Sequence, residues 1–392
     1  SALSANTTAS NNTAVGQQAL LSNTTGTNNI AVGVQALEQN TTGGANIAIG
    51  KQALDANTTA SNNTAIGAAA LGANTTATGG TAVGNQSLEA NTTGNYNTAV
   101  GMQSLENNQT GTDNVAVGYY AMQANLASNN TAVGRRALAA NTTGTQNTAV
   151  GSNALDANTT ASYNTAIGVN ALGANTIGTG NAGIGFESLK SNTTGGHNTG
   201  CGYQSLENNI DGSYNSAVGS QCMFNNTTGN YNNAIGYEAL YTNTTGSYNS
   251  ALGYQTLRLN TNGSSNTAVG SFSMDANTEG GNNVAFGSNT LSENTTGNNN
   301  TAIGRQAMNN STTQSNNTAV GYRALINQTV ADQNTAVGAD CMYTNTTGEY
   351  NTALGFMSLY NNNANNNVAI GYQALLANTT GNHNTAVGKS AA

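Results

Sequence analysis

The sequence predicts an all-β protein: a parallel β-solenoid of about 23 coils with 17 residues per coil, one continuous array over residues 1–392. Three observations predict it. A phrase reading Asn-Thr-Ala-Val-Gly, or a close variant, occurs 23 times. Nearly every copy starts 17 residues after the last, at Asn12, Asn29, Asn46 and Asn63 and onward to Asn384. No second sequence style interrupts the series, so no domain boundary can be drawn. A short period held from end to end marks coils stacked one on the next.

With positions counted from the first residue of the phrase, the consensus is Asn-Thr-Ala-Val-Gly-x-x-Ala-Leu-x-x-Asn-Thr-Thr-Gly-x-x. Position 2 is β-branched in 19 of 23 copies, which suits a pleated strand, and positions 1 to 5 are expected to form it. Positions 4 and 9 are the large aliphatic columns and therefore the expected core: Val15 and Leu20, Val32 and Leu37, Ile49 and Leu54. Alternate residues of a strand point to opposite faces, so positions 3 and 5 share the face away from position 4. That second face holds only Ala and Gly, as at Ala14, Gly16, Ala31, Gly33, Ala217 and Ala234. Something approaches it closely: another chain is expected to associate through this face, with the β-branched face turned to its own coil, and the alternative is the opposite wall of a very flat coil.

Asn at positions 1 and 12 reads as a corner residue whose amide bonds to its counterpart one coil away. The Asn-Thr-Thr-Gly segment is the second corner. Two repeats shrink to 16 residues, between Asn114 and Asn130 and between Asn351 and Asn367, and both lose their residue in this corner, after Asn125 and after Asn362. An indel confined to a turn leaves strand register intact.

Charged residues make up 6% of the chain, Pro and Trp are absent, and the net charge is −8. Eight scattered basic residues on a net-negative chain do not neutralise a phosphate backbone, which argues against nucleic acid as a partner. No apolar run approaches the ~20 residues that span a bilayer, so no membrane insertion is expected in this segment. The sequence starts at position 7 (Ser1) and stops at position 9 (Ala392), without polar caps. It reads as a segment of a longer fibre or a unit that stacks end to end.

Reactive residues are sparse. His197 and His383 are many coils apart at position 17, which assembles no catalytic pair and no metal cluster. Cys201 replaces the position-4 Val, while Cys222 and Cys341 replace the small residue at position 8; all three read as small hydrophobes. Acidic residues favour position 10, as at Glu38, Asp55, Glu106, Asp156 and Asp275, but one per coil does not build a calcium cage. No catalytic residue, metal or cofactor is expected. Tyr residues gather in two columns. Tyr96, Tyr163, Tyr214, Tyr231, Tyr248 and Tyr350 are at position 17; Tyr119, Tyr203, Tyr237, Tyr254, Tyr322 and Tyr372 are at position 6. They make either a platform for stacking sugar rings or a sheet margin that Tyr covers well.

The phrases Asn46-Ile47-Ala48-Ile49-Gly50 and Asn367-Val368-Ala369-Ile370-Gly371 resemble the head repeat of trimeric autotransporter adhesins of the YadA type. The Ala-Leu and Asn-Thr-Thr-Gly that follow are similar to repeats in phage tail fibres and other large bacterial surface proteins. The resemblance implies a left-handed β-roll, a homotrimer, and display outside a cell or on a virion.

Three functions compete on this reading. The leading one is a non-enzymatic extracellular fibre segment, a rod on the order of 110 Å long at ~4.8 Å per coil, with polar Asn, Thr and Tyr on its surface and itself as partner. The alternative is a glycan- or receptor-binding tail-fibre module that uses the Tyr ladders. An enzyme of the polysaccharide-cleaving solenoid kind needs clustered carboxylates on one face, which the sequence does not supply.

Overall fold

The structure, a computed structural model, describes residues 2–392, and all regular secondary structure among them is strand. The chain forms two units. The first, ending at His197, holds β1 (Thr13–Val15) to β11 (Ala182–Ile184); the second, from Asn198, holds β12 (Thr199–Cys201) to β23 (Thr385–Val387). Within each unit, consecutive strands pair in parallel and like position lies on like position. Thr13, Ala14 and Val15 lie on Ile30, Ala31 and Val32, and Ser216, Ala217 and Val218 lie on Asn233, Ala234 and Ile235. Each unit is a parallel β-solenoid with one repeat per coil.

The strands are shorter than expected, three residues at positions 2 to 4. Stacking continues around the rest of the coil all the same. The Leu20 amide donates to the Ala36 carbonyl at 3.0 Å, the Gln35 amide to the Gln17 carbonyl at 2.8 Å, and the Thr24 amide and hydroxyl both to the Thr41 carbonyl at 3.0 Å. Positions 7, 9 and 17 adopt left-handed backbone, with φ of 62° at Gln35, 53° at Leu37 and 61° at Asn28. Left-handed Leu is uncommon. Here its burial and the coil-to-coil bonds on either side hold it, and three such reversals per turn fold the chain into a thin loop.

That thinness corrects the expected core. Leu20, Leu37 and Leu54 are fully buried as expected, but Val15, Val32 and Ile49 point outward, with Ile49 39% exposed. The interior-facing strand residue is position 3: Ala31, Ala217 and Ala234 are fully buried. A methyl built onto Gly183, which occupies position 3, would lie 3.4 Å from Leu172 Cδ1, the position-9 side chain of the preceding coil. One Leu and two small side chains, at positions 3 and 8, fill the space between the walls, and a second large side chain has no room. The Ala/Gly columns therefore pack within the chain's own flat coil. Gly16 and Gly33 are restricted for a related reason: φ is +130° and +137°, and a methyl on either would sit 2.4 Å from the position-5 carbonyl oxygen of the next coil.

Two buried Asn ladders flank this core. At position 12 the side-chain amide of Asn40 donates to Asn23 Oδ1 at 2.8 Å and to the Gly43 carbonyl at 3.0 Å, and Asn57 repeats the first bond to Asn40 at 2.8 Å. At position 1 the ladder differs from the amide-to-amide expectation. Asn29 Oδ1 accepts from the backbone amide of Asn46 at 3.0 Å, while its own Nδ2 donates to the Gly43 carbonyl at 2.9 Å. Burying an amide is costly unless its donors and acceptor are met, and this geometry meets them in coil after coil, the exceptions being Asn108 Oδ1 beside the first short coil and the break at Asn294, Ser311 and Gln328. Both 16-residue coils keep register: Val115 lies on Thr131 and Thr352 on Val368, with the missing residue absorbed by the corner.

Candidate functional site

The outward face of the strands is built from positions 2 and 4. Position 4 gives it an aliphatic stripe: Ile49, Ile66 and Val100 in the first unit, and Val218, Ile235 and Leu252 in the second, are each more than a third exposed. Around Ser250 the stripe dips into a recess of about 200 Å³ lined by Ile235, Leu252 and Val269. Apolar side chains repeated in line make this face a candidate contact surface.

All twelve Tyr singled out by the sequence are exposed. Their geometry is mutual. In the position-17 column the rings of Tyr214 and Tyr231 stack at 5.0 Å and 2°, and those of Tyr231 and Tyr248 at 5.1 Å and 7°. In the position-6 column Tyr237 stacks on Tyr254 at 5.4 Å, and Tyr372 on Phe356 at 5.6 Å. Tyr231 therefore has both faces covered by Tyr and presents only its edge outward. A sugar needs a ring face, so these runs are less suited to stacking a glycan than to closing the coil margin. The Arg323 guanidinium lies between the rings of Tyr322 and Tyr343, 4.7 and 5.0 Å from their centroids, with Nε bonded to Asp340 at 2.8 Å. A third aromatic column, unforeseen, runs along position 10, where Phe224 stacks on Tyr241 and Tyr343 on Tyr360.

The titratable groups fall into separate environments. Burial pushes the carboxyls of Asp55, Asp156 and Asp275 above the usual range. It pushes the thiols of Cys222 and Cys341 up to about 12, and each thiol donates to a position-3 carbonyl, of Ala234 and Ala353. Cys201, at position 4, is half-buried on the outward face and not in the core, because position 4 itself points out. Among the described residues no three His, Cys, Asp or Glu group so as to hold a metal ion, and no helix is long and apolar enough to cross a membrane.

No protein-family model matches this chain, and no curated protein matches it significantly. What defines the molecule is its architecture, a parallel β-solenoid repeat protein, and the surfaces that architecture exposes. The outward stripe at position 4 was the surface missed by sequence reasoning. A signal for it existed: the column accepts residues from Cys201 to Phe286, whereas position 3 accepts nothing above Ala. Tolerance of size belongs to a surface, and intolerance to a core.

Proposed function

We propose that this chain is a non-enzymatic segment of an extracellular structural or adhesive fibre, and that it assembles with copies of itself through the outward face of its strands. The observation that carries this is the position-4 aliphatic column, more than a third exposed in coil after coil of both units. Self-association then uses positions 2 and 4 and not the expected Ala/Gly face, which lies inside the coil. The resemblance to YadA-type head repeats adds the number and setting: three chains, a left-handed roll, and display on a cell or virion surface.

Sedimentation of the full chain tests it. The wild type is expected at three times the chain mass, and an Ile235→Lys/Leu252→Lys variant, which places two ammonium groups on the stripe, at lower mass with its β-type far-UV spectrum retained. A wild type that sediments as one chain at every concentration would overturn the proposal.

A further inference from the structure

Positions 7 and 10 are neighbours on the surface, and in several coils their side chains satisfy each other. Gln35 donates to Glu38 at 2.9 Å and Gln103 to Glu106 at 2.9 Å within a coil, and Gln123, at position 10 of the next coil, reaches the position-10 Glu106 at 2.7 Å. Between Tyr120 and Lys190 the position-10 column thins. Position 10 there reads Gln123, Ala139, Asp156, Gly173, Lys190, so two side chains of the column are cut back to a methyl group and a hydrogen. Two recesses result. One, of about 430 Å³, lies over Ala139 between Tyr120 and Arg136; the other, of about 610 Å³, lies over Gly173 between Arg136 and Lys190. Arg136 lines both, so together they make one groove along the stack, on the order of four coil steps or ~19 Å long.

The groove also gathers charge. Of the eight basic residues in a chain of net charge −8, three, Arg135, Arg136 and Lys190, line the larger recess. Two carboxylates stand against them: Glu187 bonds Lys190 at 2.8 Å, and Asp156 is 3.7 Å from Arg136, too far for a close bidentate pair. The amides of Asn153 and Asn170 lie between, in the same recess. We propose that this groove binds an extended, carboxylated polysaccharide. Guanidinium and ammonium groups meet spaced carboxylates, and amides and Asp156 meet hydroxyls. A small surplus of cations suits a low charge density and is too weak for a polyphosphate. The groove lies off the position-4 stripe, so it stands or falls independently of self-association.

Calorimetry on the full chain with a hyaluronan octasaccharide, which alternates carboxylated and neutral sugars, tests the assignment. Binding is expected for that probe and not for a chitin oligosaccharide of equal length. Arg136→Gln and, separately, Gly173→Gln, which fills the recess without changing charge, should each weaken it at least tenfold. Lys51→Gln, remote from the groove, should leave it unchanged. Absence of hyaluronan binding, equal loss in the Lys51→Gln variant, or equal binding of the neutral oligosaccharide would each overturn the proposal.

Discussion

A methyl group at Gly219 would lie 2.4 Å from the carbonyl oxygen of Gly236 one coil on, at a backbone φ of +139°. Gly219→Ala is therefore expected to lower the midpoint of urea unfolding by the equivalent of about 1–3 kcal/mol from backbone strain alone, with the steric overlap added. Gly72→Ala, where the nearest atom is 3.3 Å away and φ is not positive, should stay within about 0.5 kcal/mol of wild type. Equal effects at the two sites would show that the position-5 carbonyls do not approach as described. The size limits at positions 3 and 5 were legible in the sequence; their cause was not. A foreign chain and the next coil's own carbonyl impose the same ban on side chains, so composition alone does not separate them. The left-handed Leu at position 9 left no trace in the sequence at all, because burial selects Leu whatever its φ.

The position-12 ladder is the element in which one substitution reaches its neighbours. In the second unit it runs from Asn226 through Asn243, Asn260 and Asn277 to Asn294 with amide-to-amide distances of 2.7–2.8 Å, then meets Ser311 and Gln328. There Asn294 Oδ1, Ser311 Oγ and both amide atoms of Gln328 are buried without a hydrogen-bond partner. Ser311→Asn combined with Gln328→Asn should restore the rungs and raise the thermal midpoint, on the order of 1 kcal/mol or more per group satisfied. If the double variant melts at or below the wild-type temperature, the break in the ladder is not a weak point. That position 12 forms a ladder was readable from a column that is Asn in every coil but two, and the two exceptions were readable as substitutes. Their cost was not, since it depends on an acceptor one coil away. Strand limits were misread at both ends for a local reason: position 1 turns its side chain in to the Asn ladder, and position 5 leaves β geometry at its positive-φ Gly.

For the whole molecule, the three cysteines report on which face meets a partner. Cys222 and Cys341 are buried, while Cys201 is on the outward strand face. Oxidation of the assembled protein should link chains through Cys201, giving a dimer band on a non-reducing gel that Cys201→Ser abolishes and Cys222→Ser does not. A wild-type assembly that yields no cross-link would move the seam away from position 4. Coil number, period, parallel pairing and the register kept across the 16-residue repeats all followed from the spacing, because register is carried by the period itself. The inside-out placement of position 4 did not, because alternation in a strand defines two faces without saying which one is in.

Like-on-like register has a further consequence. Each coil offers its neighbour the same hydrogen-bonding edge, Ala over Ala and Asn over Asn, so the bonding is indifferent to which coil comes next. Within either unit, loss or gain of one 17-residue stretch leaves two edges that still match. Recombination between near-identical repeats can then shorten or lengthen the array in steps of one coil without a new fold having to be found. Reach becomes a heritable quantity, adjustable separately from foldability.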